Sequence, residues 1–395
     1  MNKVKQKVPV LRFPEFVNNG EWEDTILDKV ADYENGKAHE QEISKNGKYK
    51  VVNSKFISTD GTVVKYTNSA NLKANIGDVL MVLSDIPNGK AIAKCFYVDK
   101  DETYTVNQRI CKITPLDIDN KFLFYLQNRN KYFLAFDDGV KQTNLRKDTV
   151  LSFPFLKPKT PKEQQKIANC FTSLDDLITA ETEKLDHLID HKKGLLQQLF
   201  PANGATKPQF RFPEFINGGE WEEKKLSNLI INITPPKKLK SNQFQEKGKY
   251  PIIDQSQNEI AGWADDEHAI IKNNFPIIVF GDHTCALKII KQPFIQGADG
   301  IKILKGNSIV DTRYLYYALQ SNPLLMKEYK RHYSILKEKM VSYPNIESNE
   351  QQKIANCLSS ADALIDEQKI KIKALKKHKK GLMQQLFPNV NELAV

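Results

Sequence analysis

The side chains best suited to chemistry in this sequence are amides, guanidiniums and ammoniums gathered in short polar clusters. In the first part of the chain these are Asn53, Ser54 and Lys55; Asn107, Gln108 and Arg109; and Lys141, Gln142, Thr143, Asn144 and Arg146 in VKQTNLRKD. In the second part they are Lys237, Lys238 and Lys240; Asp254, Gln255, Ser256 and Gln257; Asp282, His283 and Thr284; and Arg331, His332, Lys337 and Lys339. Asn and Gln amides bind adenine edges bidentately, Arg and Lys match the acceptors of guanine, and further lysines suit phosphates. Any one of these residues alone is an ordinary solvated side chain, so the reading rests on the clusters as groups. A net charge of +10 points the same way, because each phosphate neutralised by Lys or Arg releases condensed counterions. The expected partner is a polyanion, DNA or RNA.

The residues that would transform a bound substrate are missing. No G-x-x-x-x-G-K-[ST] loop occurs; GADGIK, from Gly297 to Lys302, has the wrong spacing and precedes a predicted strand. The seven histidines show no HExxH or paired metal spacing. There is no glycine-rich S-adenosylmethionine loop, and TPPK, from Thr234 to Lys237, lacks both the Asn or Asp and the aromatic residue of an amino-methyltransferase tetrapeptide. Asp175 and Asp176 read as the solvent face of a helix rather than a catalytic pair. Five cysteines without a CxxC pair read as reduced thiols. The chain is therefore expected to be non-catalytic, with no cofactor or metal of its own. Without a long apolar run or a signal-peptide-like start it is also expected to be cytoplasmic, with no membrane association.

The elements that would position the clusters come from an internal repeat. LRFPEFVNNGEWED, from Leu11 to Asp24, recurs as FRFPEFINGGEWEE, from Phe210 to Glu223, and EQQKIANC, from Glu163 to Cys170, recurs from Glu350 to Cys357. The second repeat has an offset of 187, which also carries HKKGL and QQLFP onto their copies. Between these anchors lie two divergent stretches, giving the order variable, constant, variable, constant.

Each constant segment carries a heptad seam. In the first copy it runs through Ile167, Phe171, Leu174, Ile178, Leu185, Leu188, Leu195 and Leu199, with Glu181 and Lys192 filling the gaps. In the second it runs through Ile354, Leu358, Ala361, Ile365, Gln368, Ile372, Leu375, Lys379, Leu382 and Leu386. Pro161 precedes the first helix, and Pro201 and Pro388 end the two copies. At about 1.5 Å per residue each helix would be roughly 55 Å long. One reading pairs the two helices antiparallel about a pseudo-two-fold axis, so that Glu181 and Gln368 meet at the midpoints and fix the register. The other packs each helix on its own globular core.

The variable stretches share landmarks. GKYKVV from Gly47 matches GKYPII from Gly248, GDVLMVLSD from Gly77 matches NFPIIVFGD from Asn274, and FLFYLQN from Phe122 matches YLYYALQS from Tyr314. Short Val, Ile, Tyr and Phe runs broken by Gly, Asn, Asp and Pro predict strands with some helix, hence two copies of one α+β fold. The predicted segments are 1–160, a first domain; 161–201, a long helix; 202–347, a second domain; 348–388, a second long helix; and 389–395, a tail.

With that order in view, the sequence resembles the specificity subunits of Type I restriction-modification systems. The openings PVLRFPEF...EWE and PQFRFPEF...EWE, EQQKIA at the head of each long helix, and the endings KKGLLQQLFP and KKGLMQQLFP carry the resemblance across nearly the whole chain. It implies two globular target-recognition domains joined by an antiparallel coiled coil, each reading one half of a bipartite asymmetric DNA site. It also implies two methyltransferase subunits that use S-adenosylmethionine, and motor-nuclease (restriction) subunits that use ATP and Mg. It assigns no catalytic residue here. A stand-alone DNA-binding regulator of the same pseudo-dimeric geometry and a coiled-coil scaffold are the alternatives.

Overall fold

The computed structural model describes residues 7–39, 42–86, 89–202, 204–272, 275–298, 300–325 and 331–388. The tail expected at 389–395, Asn274 of the NFPIIVFGD landmark and Asp299 of GADGIK lie outside them. The chain forms two compact units, Met1–Ala180 with Ile372–Val395, and Glu181–Lys371. Each unit thus holds one variable domain together with a part of both long helices.

In the first unit an antiparallel sheet runs in the order Ala31–Asn35, Ile110–Pro115, Val79–Val82, Cys95–Tyr97. A second sheet runs Ile43–Ser44, Lys65–Thr67, Tyr49–Val52, Tyr104–Val106, Lys73–Ala74, with one parallel pair, Tyr49–Val52 beside Tyr104–Val106. The second unit repeats this plan. Its antiparallel sheet runs Ile230–Asn232, Ile301–Gly306, Ile277–Gly281, Leu287–Ile290, and its mixed sheet has Tyr250–Ile253 parallel to Phe294–Gly297. Val79–Val82 and Ile277–Gly281 are buried throughout, which is why both read as unbroken apolar runs instead of alternating ones. The segments Asn120–Gln127 and Thr312–Ser321 are helical, each opened by an Asp whose carboxylate accepts backbone amides of the first turn.

The two constant segments are helices, Pro161–Leu199 and Glu350–Leu386. Within each unit they run antiparallel. In the first unit Phe171 stacks on Phe387 at 5.7 Å, and Asp175 bonds to Lys379 at 2.5 Å. In the second, Lys192 bonds to Asp362 at 2.6 Å, and Glu181 bonds to Lys371 at 2.6 Å. Asp175 is therefore an interhelical group that also accepts the Tyr125 hydroxyl at 2.9 Å, whereas Asp176 alone keeps the solvent-facing place expected for both. Its counterpart Asp362 accepts the Tyr317 hydroxyl at 2.8 Å.

The repeated motifs prove to be joints. Arg12 of the first RFPEF makes a two-pronged pair with Glu163 at 2.8 Å on each prong, and Arg211 of the second grips Glu350 at 2.7 and 2.6 Å. Both glutamates are buried, and a buried carboxylate needs such a fork because its desolvation is otherwise unrecovered. The next residue of EQQ ties the variable domain to the helix. Gln164 accepts the Asp119 amide at 2.8 Å and donates to the Pro158 carbonyl at 2.9 Å, while Gln351 accepts the Asp311 amide at 2.7 Å and donates to the Pro344 carbonyl at 2.7 Å. Trp22 and Trp221 close each joint over Phe122 and Tyr314, with ring centroids 6.1 Å apart in both cases.

Candidate DNA-recognition interface

The parallel strand pairs assemble the polar clusters. In the first unit Val52 lies opposite Val106, and the Asn107 amide donates to the Val52 carbonyl at 3.0 Å, which sets Asn53 beside Asn107. The third cluster joins through the backbone: Leu83 N–H donates to the Arg109 carbonyl at 2.8 Å, and Leu145 N–H donates to the Leu83 carbonyl at 2.8 Å. Gln142 Nε2 donates to Ser84 Oγ at 2.6 Å, and Asn144 pairs with Ser84 in a short ladder. Clusters far apart in sequence thus line one rim.

Several of these residues hold the rim rather than face outward. Asn53 caps a short helix, Ser54–Ser58, by accepting the Phe56 amide at 2.9 Å, where an open loop was expected; Asn is a favoured cap because its oxygen satisfies an amide the helix leaves unpaired. Ser54 and Lys55 stand on its first turn, Lys55 exposed. Thr143 is buried and donates to Asp137 at 3.0 Å. Gln108, Arg109, Lys141, Gln142, Asn144 and Arg146 are exposed, with Arg109 projecting from a left-handed turn at φ +71°. A Cβ on Gly36 would lie 2.0 Å from the Asn107 carbonyl oxygen, so the Asn107 turn is seated against a bare glycine.

The second unit builds an equivalent rim from different side chains. Ile253 and Lys238 flank Gln296 on its two sides, placing Lys237, Lys238 and Lys240 across that strand from the turn formed by Asp254, Gln255, Ser256 and Gln257. Thr284 Oγ1 donates to the Gln255 carbonyl at 2.5 Å, and the Asp282 amide donates to the Gly300 carbonyl at 2.7 Å. His283, between them, is half-buried. The buried Asp282 carboxylate accepts the amides of His332 at 2.9 Å and Tyr333 at 2.8 Å. Asp282 and His332 are 5% and 2% exposed, so the structure corrects their reading as open-loop residues to that of rim supports. Ser256 turns inward onto Asp254 at 2.6 Å, and Lys237 is paired with Asp266 at 2.6 Å. Lys240, Gln257 and Arg331 are exposed.

Lys337 and Lys339 are half-buried. Lys337 stands over the Tyr333 ring at 5.5 Å. The Lys339 carbonyl accepts the Leu226 amide, and the residue leads into the ladder between Glu222–Lys225 and Met340–Tyr343; burial pulls its ammonium pKa down. Conversely, Lys37, Ser84, Gln296 and Lys302 were not foreseen. Lys37 bridges in parallel to Asn107 as Lys238 does to Gln296, and Lys302 lies 5.2 Å from the Tyr333 ring. The GKY landmarks stand 201 residues apart; the same offset carries Lys37 onto Lys238 and was the available signal.

At the helix midpoints Gln368 donates to Glu181 Oε2 at 2.6 Å and to the Glu181 carbonyl at 2.8 Å, and Lys371 donates to Oε1 at 2.6 Å. These donors, with Lys184 nearby, hold the Glu181 pKa below the usual carboxylate range, the Gln368 amide contributing most. Among the described residues, no group of three His, Cys, Asp or Glu side chains is placed to hold a metal, and no helix is long and apolar enough to cross a membrane.

The profile of the Type I restriction modification DNA specificity domain matches residues 19–189 and again 218–377. The Type I restriction enzyme MjaVIII specificity subunit of Methanocaldococcus jannaschii is 25% identical, over 95% of this chain and 93% of its own. The putative MjaX specificity subunit of the same organism is also 25% identical, over 82% and 80%. The fold is shared with the crystal structure of the Type I restriction-modification S subunit of M. genitalium, at TM-score 0.62 and 18% identity over 97% of this chain and 99% of that one. It is also shared with a chain from a structure of Type I restriction-modification complex assembly and conformational transition, at TM-score 0.53 and 16% identity over 92% and 97%. These matches favour a complex subunit over the stand-alone regulator. With the domain matched twice along its length, the chain belongs to the Type I restriction-modification specificity-subunit family, and it is a non-catalytic subunit that confers DNA sequence specificity.

Proposed function

We propose that the two rims read the two halves of one bipartite, asymmetric double-stranded DNA site. The observation that carries this is the contrast between repeated scaffold and unrepeated rim. Gln108, Arg109, Gln142 and Asn144 line the first, while Lys238, Lys240, Gln257 and Arg331 line the second, so unlike half-sites are expected. Asn53, Ser54, Lys55, Thr143, Gln255, Ser256, Thr284, Asp282 and His332 hold the turns in place. Lys141, Arg146 and Lys237 contribute phosphate contacts. The long helices set the spacing between half-sites, with Glu181 and Gln368 fixing their register.

Two methyltransferase subunits bind this chain and bring S-adenosylmethionine to an adenine flipped from each strand. A motor-nuclease partner adds ATP and Mg. The assembly works in the cytoplasm. Methylome sequencing of cells carrying this gene with its methyltransferase gene, against cells lacking only this gene, tests the reading. A new split motif methylated on both strands is expected; a methylated motif unaffected by loss of this gene would overturn it.

A further inference from the structure

The 187-residue offset turns every contact between the long helices into a test of whether like halves of the chain pair as well as unlike halves. Most contacts do not discriminate. Asp175 with Lys379 and Asp362 with Lys192 are repeat copies of one bridge, at 2.5 and 2.6 Å. In a pairing of two first helices, Lys192 of a second copy would stand where Lys379 stands now. The end of the second helix packs Leu382, Met383, Leu386 and Phe387 on the first domain. The end of the first helix offers Leu195, Leu196, Leu199 and Phe200, which pack on the second. Even the backbone joints match: the Leu11 amide donates to the Gln385 carbonyl at 3.0 Å, and the Phe210 amide to the Gln198 carbonyl at 2.9 Å.

Among the described residues, only at the centre does the repeat meet itself. Glu181 and Gln368 are one offset apart, as are Lys184 and Lys371, so here the contact joins equivalent positions carrying different residues. In the unlike pair one carboxylate receives the Gln368 amide and the Lys371 ammonium. In a pair of first halves a second Glu181 would occupy the slot of Gln368, which is 5% exposed. Lys184 would replace Lys371, but the amide donor would be gone and two carboxylates would contend for one site, where both cannot stay ionised. A pair of second halves would set two Lys371 ammoniums around two amides with no carboxylate.

We propose that the Glu181–Gln368 contact makes the helix pair heterotypic: it selects pairing of the first half with the second half and rejects exchange of like halves with another copy of this chain. The pairing preference stands independently of any DNA role. Its consequence, that one assembly keeps two different recognition domains, rests on the reading proposed above.

The full chain, carrying a protease site in the exposed 204–207 linker and one of two mass tags, is folded and then cut. Two tagged preparations are mixed, unfolded in urea, refolded at pH 7.5 and weighed by native mass spectrometry. Like pairs are expected at less than a tenth of their statistical proportion, and E181Q should bring first-half pairs up to that proportion. Like pairs at statistical abundance in the unsubstituted protein, or an unchanged deficit of first-half pairs in E181Q, would overturn the proposal. Thermal melting of the uncut chain decides it separately if cut halves fail to refold. Q368E should melt lower at pH 8 than at pH 5, because its two facing carboxylates, set among Lys184 and Lys371, then share a proton. The exchange E181Q/Q368E should regain the unsubstituted melting temperature, since Lys184 then serves as Lys371 does now. A double variant no more stable than Q368E would show that the contact does not discriminate.

Discussion

The two variable domains share the strand order of their antiparallel sheets, an Arg–Glu fork each and a Lys–Asp–Tyr cluster each, yet their rims have little side chain in common. Where the first domain has Val106 between its flanking strands, the second has Gln296; where the first turns at Asn107–Arg109, the second turns through Gly297 and Ala298 to Gly300. The contrast teaches that the constraint lies in the joints. A buried fork fixes its partners to a few tenths of an ångström, because misplacement leaves a charge without compensation in a place water cannot reach. A solvated turn tolerates exchange, since its exposed side chains pair with water whenever nothing else is bound.

The largest effect that would break this comparison is loss of a fork. Arg12→Ala should destabilise the first unit by roughly 3–5 kcal/mol, as expected when one partner of a buried pair is removed, and Arg211→Ala should do the same to the second; urea unfolding checks both. Glu163→Ala should cost more than Glu350→Ala, because Trp22 Nε1 also donates to Glu163 at 3.1 Å, whereas Trp221 Nε1 has no acceptor among the described residues. Equal losses would show that the indole bond adds nothing. Next comes Gly36→Ala, whose methyl group would collide with the Asn107 carbonyl. Displacement of that turn should destabilise by about 1–3 kcal/mol and, in methylome sequencing, impair reading of the first half-site while leaving the second intact.

Smaller effects sharpen the contrast between rims. Arg109→Ala should relax base preference within one half-site by about 1–3 kcal/mol, and relaxation in both halves would contradict separate rims. Lys141→Ala should weaken binding evenly across sequences and lower the salt dependence of affinity by about one counterion. The smallest effect concerns pH. The Glu181 carboxyl has its pKa lowered in the folded state, so its contribution is present above the ordinary carboxylate pKa and fades as pH falls through the lowered one. In acid melts E181Q should therefore flatten the low-pH limb slightly, while at neutral pH it should lower the melting temperature a little through loss of the Lys371 bond.

Much of the scaffold was legible because its signals are periodic or repeated. The heptad seam foresaw both long helices, since an apolar stripe at that spacing must be buried, and Ile167, Phe171, Ile354 and Leu358 are almost fully so. It also placed Glu181 and Gln368 at a shared midpoint. The rims were only partly legible. Polarity located the clusters but did not tell Asn53, a helix cap, from Arg109, an exposed turn residue, because a polar side chain is compatible with either place. Lys37 escaped notice because it stands alone in sequence and joins its cluster only through a parallel bridge to Asn107.

The sequence by itself determined the order of domains, the two helices, the family and the absence of catalytic motifs, all of which follow from local pattern and repetition. Only the tertiary structure decided which polar groups face outward. Burial of Asp282 and His332, the forked grip of Glu163 and Glu350, and the convergence of three distant clusters on one rim depend on strand pairing and register. Those in turn are set by long-range packing, which no local run of residues encodes.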